Sequence, residues 1–325
     1  MVSYLCSMSE IGQNIEKAKY LLENGNLVAI PTETVYGLAA NALDEDAVLK
    51  IFDAKKRPHF DPLIVHIKGK EDLNIYARSV PEPAMRLANT FWPGPLTLLL
   101  PKSNLISDLV TSGSDLVGLR IPSHPLTLSL LKQLSFPLAA PSANPFGYIS
   151  PTTAQHVYEQ LSDNVSYILD GGACQIGLES TIIGFEDNQA VLMRLGGIAI
   201  EDLEKICGKL KINLNQSSNP LAPGQLKSHY APKTPLMLGN IGNLLKIRTE
   251  QSIGVISFKT KYEGTEIAKQ WILSEKGDLH EAASNLFKML READKENIEL
   301  ILGEYVPDEG LGLAINDRLK RAAAK

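Results

Sequence analysis

The chain is poor in cysteine, lacks long apolar runs and carries no surplus of positive charge, and each shortage narrows what it can be. Its three cysteines, Cys6, Cys174 and Cys207, are scattered over 325 residues with no CxxC spacing. Neither a disulfide framework nor a cysteine zinc site is expected. No apolar stretch approaches the roughly 18 residues that a membrane helix needs, and the first residues lack a basic-then-apolar signal pattern. The expectation is a cytoplasmic protein with reduced thiols and no membrane partner. A formal net charge of −5 argues against nucleic-acid binding driven by the whole surface, although a local basic groove is compatible with it. The phosphate-loop pattern GxxxxGK[ST] is missing, as are GxSxG, HExxH and the kinase set.

What is present suits a soluble enzyme. Hydrophobic residues make up 44% of the chain and charged residues 21%, enough for a large core. The length is comfortable for two domains. Ile11, Ile15, Ala18 and Leu22 fall on one face of a first helix, with Gly25 at its end. Leu27–Ile30 reads as a buried strand, and Asp44 caps a helix that turns Val48, Ile51 and Phe52 inward. Strands are expected at Leu63–Ile67, Leu96–Leu100, Val117–Ile121 and Pro137–Ala140. Three more follow closely, at Tyr167–Leu169, Ser180–Phe185 and Val191–Arg194, and look antiparallel or mixed. Helices are expected at Pro83–Trp92, His124–Leu134, Thr152–Leu161 and Ala199–Cys207. The result is an α/β domain with a twisted, mixed sheet over residues 8–207. Residues 208–235 are rich in Asn, Gln, Ser and Pro and read as a linker. A shorter series of strands and helices, 236–325, gives a small second α/β domain.

The loops at strand ends hold the chemistry. Pro31 to Ala42, PTETVYGLAANA, starts as a buried strand ends, the favoured place for a ligand in α/β proteins. Lys55, Lys56 and Arg57 either stabilise a helix C-terminus or clamp a polyphosphate. His66 sits mid-strand, where a histidine is structural more often than functional. Trp92-Pro-Gly-Pro95 reads as a rigid turn with an aromatic plug. Arg120, inside an apolar strand, needs a partner, which can be a core carboxylate or an anionic ligand. Ala140, Ser142 and Ser150 lie in a small-residue loop that lets a ligand come close. Ser150 or Thr152 can equally cap the next helix. Ser180 stands at a strand start, and Arg194 ends a strand before Gly196-Gly197.

Taken in order, PTETVYGL, KKRP…PLIVHI, FWPGPLTL, VGLRIP, PLAAPSAN…G…SPT, ESTI and MRLG resemble the YrdC-type L-threonylcarbamoyladenylate synthases. The APGQLKSHYAP linker and the small last domain resemble their long, two-domain form, whose last domain is Rossmann-like. The resemblance implies that L-threonine, bicarbonate and ATP, with Mg²⁺, give threonylcarbamoyl-AMP and pyrophosphate. That product serves N6-threonylcarbamoylation of tRNA adenosine 37, completed by a separate tRNA threonylcarbamoyl transferase. The resemblance further implies threonine contacts at Thr34, His66, Arg120, Ala140 and Ser180. It places ATP at Arg57, Asp61, Ser142, Ser150, Arg194 and Tyr230, with Lys55 or Lys56 beside Arg57 on the phosphates. Asp317 stands where the pattern has Asn.

Two other readings share the fold: an RNA-binding module, with weak RNA affinity, and a carbamoyl-transfer domain of the hydrogenase-maturation type. The second expects zinc-finger and acylphosphatase-like modules, which the sequence lacks. The Pro-rich linker, with Pro223 and Gly224 near its hinge, is expected to close over a labile carbamate and exclude water. Deleting 221–232 should then leave both domains folded and abolish coupled turnover; unchanged turnover would refute that role.

Overall fold

The computed structural model describes residues 9–214, 229–247 and 252–324. The first part of the chain builds one large sheet. Its strands in chain order are β1 (Glu10–Gly12), β2 (Val28–Ile30), β3 (Gly37–Asn41), β4 (Ile64–His66), β5 (Leu96–Pro101) and β6 (Leu116–Arg120), then β7 (Leu138–Ala139), β8 (Tyr167–Leu169), β9 (Thr181–Glu186), β10 (Gln189–Arg194) and β11 (Lys211–Ile212). Their spatial order is β1-β8-β2-β3-β7-β4-β6-β5-β9-β10-β11. Parallel pairs such as β4–β6 and β5–β9 stand beside antiparallel ones such as β2–β3 and β5–β6, so the sheet is mixed.

Local chemistry starts and stops the elements. Asp44 accepts hydrogen bonds from the amides of Asp46 and Ala47 and so caps the helix Glu45–Lys55, which buries Ala47, Val48, Ile51 and Phe52. Asp187 and Asn188 both have positive φ and close the β9–β10 hairpin, the conformation that a two-residue turn of this hand requires. Trp92 is buried and donates its indole N–H to the Leu96 carbonyl at 2.8 Å, plugging the turn as expected.

The second part builds a parallel sheet from β12 (Leu236–Leu238), β13 (Ile253–Ser257), β14 (Ile267–Ile272) and β15 (Leu300–Gly303), in the order β12-β15-β13-β14. The helices Leu279–Lys295 and Gly312–Ala323 pack against it and face the first part. Ala283, Leu286, Phe287, Ile315 and Leu319 belong to the same apolar cluster as Val35, Leu178 and Leu195. The two parts therefore share a continuous core.

Several expectations change. Ile11 lies outside the first helix, which runs Ile15–Glu23, and sits in β1 paired with Ile168. Half of the Pro31–Ala42 loop is the strand β3, which returns antiparallel to β2. β8 runs parallel to both β1 and β2, so only β9 and β10 of the three late strands are antiparallel to each other. Within the expected linker, β11 pairs with β10. Residues 215–228, including Pro223 and Gly224, lie outside the described residues, as does Cys6. Cys174 and Cys207 are free thiols.

Gly177 shows how tightly the two parts meet. Its φ is +74°, and a Cβ there would stand 2.6 Å from the Ser284 Cα in the second part. Gly208 has a similar φ of +76° but open space around it. Gly208→Ala should cost about 1–3 kcal/mol from its positive-φ, extended-ψ backbone alone, a conformation that only glycine adopts readily. Gly177→Ala should cost about 1–3 kcal/mol more, because overpacking adds to the strain. Urea unfolding of the two variants tests this; equal losses would contradict it.

Candidate active site

The ends of β2, β4, β6, β7 and β10 and the start of β9 converge on one cleft. Thr34, His66, Arg120, Ala140 and Ser180 line one portion of it. Arg57, Ser142, Arg194 and Tyr230 line another, with Glu179 and His229. Side chains fill most of the cleft. The enclosed free volume is about 50 Å³, against about 560 Å³ when space open to solvent is counted. Ligand pockets begin near 300 Å³, so a nucleotide needs the open side or a shift of these side chains.

The partner that Arg120 needs is a carboxylate from the first loop. Arg120 donates from Nη2 to Glu33 Oε1 at 2.6 Å and to Thr34 Oγ1 at 3.0 Å, and from Nε to the Gly94 carbonyl at 3.3 Å. The Ser123 amide donates to the other Glu33 oxygen at 3.0 Å. Glu33 is thereby held at both oxygens, and it fixes the Arg120 plane against the cleft. Thr32 Oγ1 accepts from the amides of Thr34 and Val35 and donates to the Val35 carbonyl, which shapes the loop. His66 is buried, and its Nδ1 has no hydrogen-bond partner among the described residues. Burial first, then the Arg120 charge, pulls its pKa down to about 3, so the imidazole is neutral.

The cationic portion separates the three residues of the Lys-Lys-Arg run. Lys55 ends the helix, is 1% exposed and donates its ammonium to the carbonyls of Ser142 and Asn144. Burial, then the Arg57 charge, holds its pKa well below the ordinary lysine value. Lys56 takes the left-handed cap conformation, with φ 52°, and points to solvent; it does not reach the cleft. Arg57 lines the cleft and donates to the backbone carbonyls of Asp61 at 3.0 Å and Pro62 at 2.9 Å.

Asp61 lies behind Arg57 and does not line the cleft. Its Oδ2 is 2.8 Å from Arg57 Nη2, yet neither carboxylate oxygen accepts an aligned hydrogen bond, because the guanidinium N–H groups point at carbonyls. Burial raises the Asp61 pKa while Arg57, Lys55 and Arg194 oppose the rise. We take Asp61 as ionised, since the contact to Arg57 is at ion-pair distance.

Arg194 donates from Nε and Nη2 to the Ser180 carbonyl at 3.1 and 2.8 Å, and from Nη2 to Ser180 Oγ at 3.0 Å. Thr97 Oγ1 lies 2.7 Å from the same hydroxyl. Ser150 is fully buried and outside the lining; its hydroxyl donates to Glu179 Oε1 at 2.6 Å. Neither Ser150 nor Thr152 caps the next helix. Thr153 does, accepting from the His156 amide at 3.2 Å. Tyr230, with φ 63°, stacks on Phe287 at 5.3 Å and meets His229 edge-on at 4.1 Å.

Four site residues were missed in the sequence: Glu33, Glu179, His229 and Arg318. The two carboxylates stood inside quoted motifs, where acidic residues beside an anion site look misplaced until their arginines are seen. Arg318 had one signal, the Asp317-Arg318-x-x-Arg321 spacing, in which Asp317 binds both arginines. What the cleft offers is guanidinium charge from Arg57, Arg120 and Arg194, a neutral imidazole and small backbone-lined walls.

Comparison with known proteins accounts for both parts of the chain. The Sua5/YciO/YrdC family model, described as telomere recombination, matches residues 20–196. A model described as the threonylcarbamoyl-AMP synthase C-terminal domain matches residues 198–324. A threonylcarbamoyl-AMP synthase of Pyrococcus abyssi is 42% identical, covering 95% of this chain and 94% of its own. One from Bacillus subtilis is 40% identical, covering 95% and 92%. The crystal structure of Pyrococcus abyssi Sua5 complexed with L-threonine superposes with a TM-score of 0.88 at 39% identity over 97% of each chain.

Neutral, buried histidines make stability depend on pH. His229 resembles His66: burial first, then Arg57 and Lys55, hold its pKa well below the ordinary value. Both histidines bind a proton in the unfolded chain near pH 6.5 but not in the folded one. Their contribution is complete above about pH 6.5 and is lost as pH falls through the window toward about 3, the folded value for His66. Each should steepen the loss by about 1.4 kcal/mol per pH unit. Unfolding measured from pH 7 to 5 should show a shallower slope in His66→Asn than in the parent chain; identical slopes would refute the assignment.

Proposed function

Since this chain belongs to the Sua5/YciO/YrdC family, we propose that it joins L-threonine, bicarbonate and ATP into threonylcarbamoyl-AMP and pyrophosphate. The observation that carries the reading is the meeting, in one cleft, of the Thr34–His66–Arg120 cluster with Arg57 and Arg194. One group suits a small amino acid and the other suits phosphates.

The threonine amino group takes up CO₂ or bicarbonate and becomes N-carboxythreonine; from bicarbonate, water is released. A carbamate oxygen then attacks the α-phosphorus of ATP. The bond from that phosphorus to the bridging oxygen breaks, and pyrophosphate leaves with the electron pair. This makes the enzyme a nucleotidyltransferase with no covalent protein intermediate. Positioning and charge therefore supply the rate.

Arg120, held flat by Glu33, receives the threonine carboxylate. His66, neutral, lines the threonine end of the cleft beside Arg120. Ala140 and Ser180 form the wall beside them. Arg57 and Arg194 face the triphosphate, where charge builds on the leaving group. Ser142 and Tyr230 flank the nucleotide. Lys55 acts from behind, fixing the Ser142–Asn144 backbone with its ammonium. Mg²⁺ arrives with ATP and is treated as part of that substrate. Among the described residues there is no group of three or more His, Cys, Asp or Glu side chains that could hold a metal.

The adenylate then passes to a separate transferase that modifies tRNA at adenosine 37, in the cytoplasm. No helix of the described residues is long and apolar enough to cross a membrane. The test is pyrophosphate release from ATP and bicarbonate, with and without L-threonine, with the product mass measured. Threonine-dependent release with the mass of threonylcarbamoyl-AMP is the expected result. Release that ignores threonine, or none at all from folded protein with Mg²⁺, would overturn the reading.

A further inference from the structure

Arg318 is fully buried on the helix Gly312–Ala323, yet its guanidinium reaches into the first part of the chain. It donates from Nε to Glu179 Oε2 at 3.0 Å and from Nη2 to the Leu195 carbonyl at 2.7 Å. It also lies 5.2 Å from the centre of the Tyr230 ring. The second oxygen of Glu179 accepts the Ser150 hydroxyl. From the helix Leu279–Lys295, Arg291 donates to the carbonyls of Ile149 and of Ser150. The second domain thus grips Ser150 twice, at its carbonyl directly and at its hydroxyl through Glu179.

The threonine end shows nothing of the kind. The hydrogen-bond partners of Arg120 are Glu33, Thr34 and Gly94, all in the first domain. We infer that the second domain shapes the nucleotide end of the cleft and not the threonine end, with Arg318 as a positioning residue that acts through Glu179. This rests on the reading of the cleft as a threonine and ATP site.

The electrostatic reason is specific. Glu179 lines a cleft that receives a polyanion. Paired with Arg318 it is neutralised and locked. Without Arg318 it keeps the Ser150 hydroxyl but loses the cation paired with it, which leaves a buried carboxylate in the wall of a phosphate site. That charge opposes ATP and leaves threonine alone.

The experiment is steady-state pyrophosphate release by the full chain, with KM measured separately for ATP and threonine. Arg318→Ala should raise the ATP KM by about tenfold or more, a loss of about 1.4 kcal/mol per factor of ten. The threonine KM should stay within about twofold, inside the usual scatter of a site left untouched. Adding Glu179→Gln to Arg318→Ala removes the stranded charge and should recover most of the ATP KM. A purely structural pin predicts the opposite, since the double variant has lost both halves of the pin.

Equal shifts in both KM values, or no recovery in the double variant, would overturn the inference. If Arg318→Ala does not fold, Arg318→Gln keeps much of the side-chain volume and removes the charge; an unchanged ATP KM there would also overturn it. The parent chain is run alongside. If it lacks threonine-dependent release, the functional reading fails and this inference falls with it. If it turns over normally and the KM values do not split, only the inference fails.

Discussion

Burying a guanidinium is costly unless every face of it is answered, and the described residues bury six: Arg57, Arg120, Arg194, Arg291, Arg318 and Arg321. Their answers determine much of the architecture. Arg120 is met by Glu33, Arg57 by Asp61 and two carbonyls, Arg194 by the Ser180 backbone and hydroxyl. Arg318 and Arg321 share Asp317. The pairings of Arg57, Arg120 and Arg194 each fix a segment at a strand end, and together these segments make the cleft. An anion-binding site built from solvated lysines would need none of this scaffolding, but it would also carry far less field in a wet surface groove.

The same economy of solvent explains the histidines and the lysine. Surrounded by arginine charge and cut off from water, His66 and His229 are neutral, and the Lys55 pKa is held below the ordinary lysine value. Positive charge in the cleft is therefore concentrated on groups that cannot give up a proton under working conditions.

Much of this was legible in the sequence, for a physical reason. Side chains that bind ligands gather at strand ends, so the motif loops stood out between apolar runs, while the family resemblance implied the roles of Thr34, His66, Arg120, Ser180 and Arg194, which come together in the fold. β3 was not legible. Gly37-Leu-Ala-Ala-Asn41 has no β-branched residue, and it is a strand because β2 and β7 flank it. Nor could the sequence separate Lys55 from Lys56, since a left-handed helix end sends adjacent side chains to opposite environments. The carboxylates were hidden by distance along the chain. Glu33 and Arg120 are 87 positions apart, and Glu179 and Arg318 are 139. No local pattern announces such a pair.

The link between Glu179 and Arg318 also bears on how such a chain can change over generations. A first domain that carries Glu179 in its cleft has adapted to a helix supplied by its neighbour. Shedding the second domain would strand that carboxylate, and regaining independence would require replacing it in the same step or before. The two halves are co-dependent at one residue pair, and a drift in either must be matched in the other.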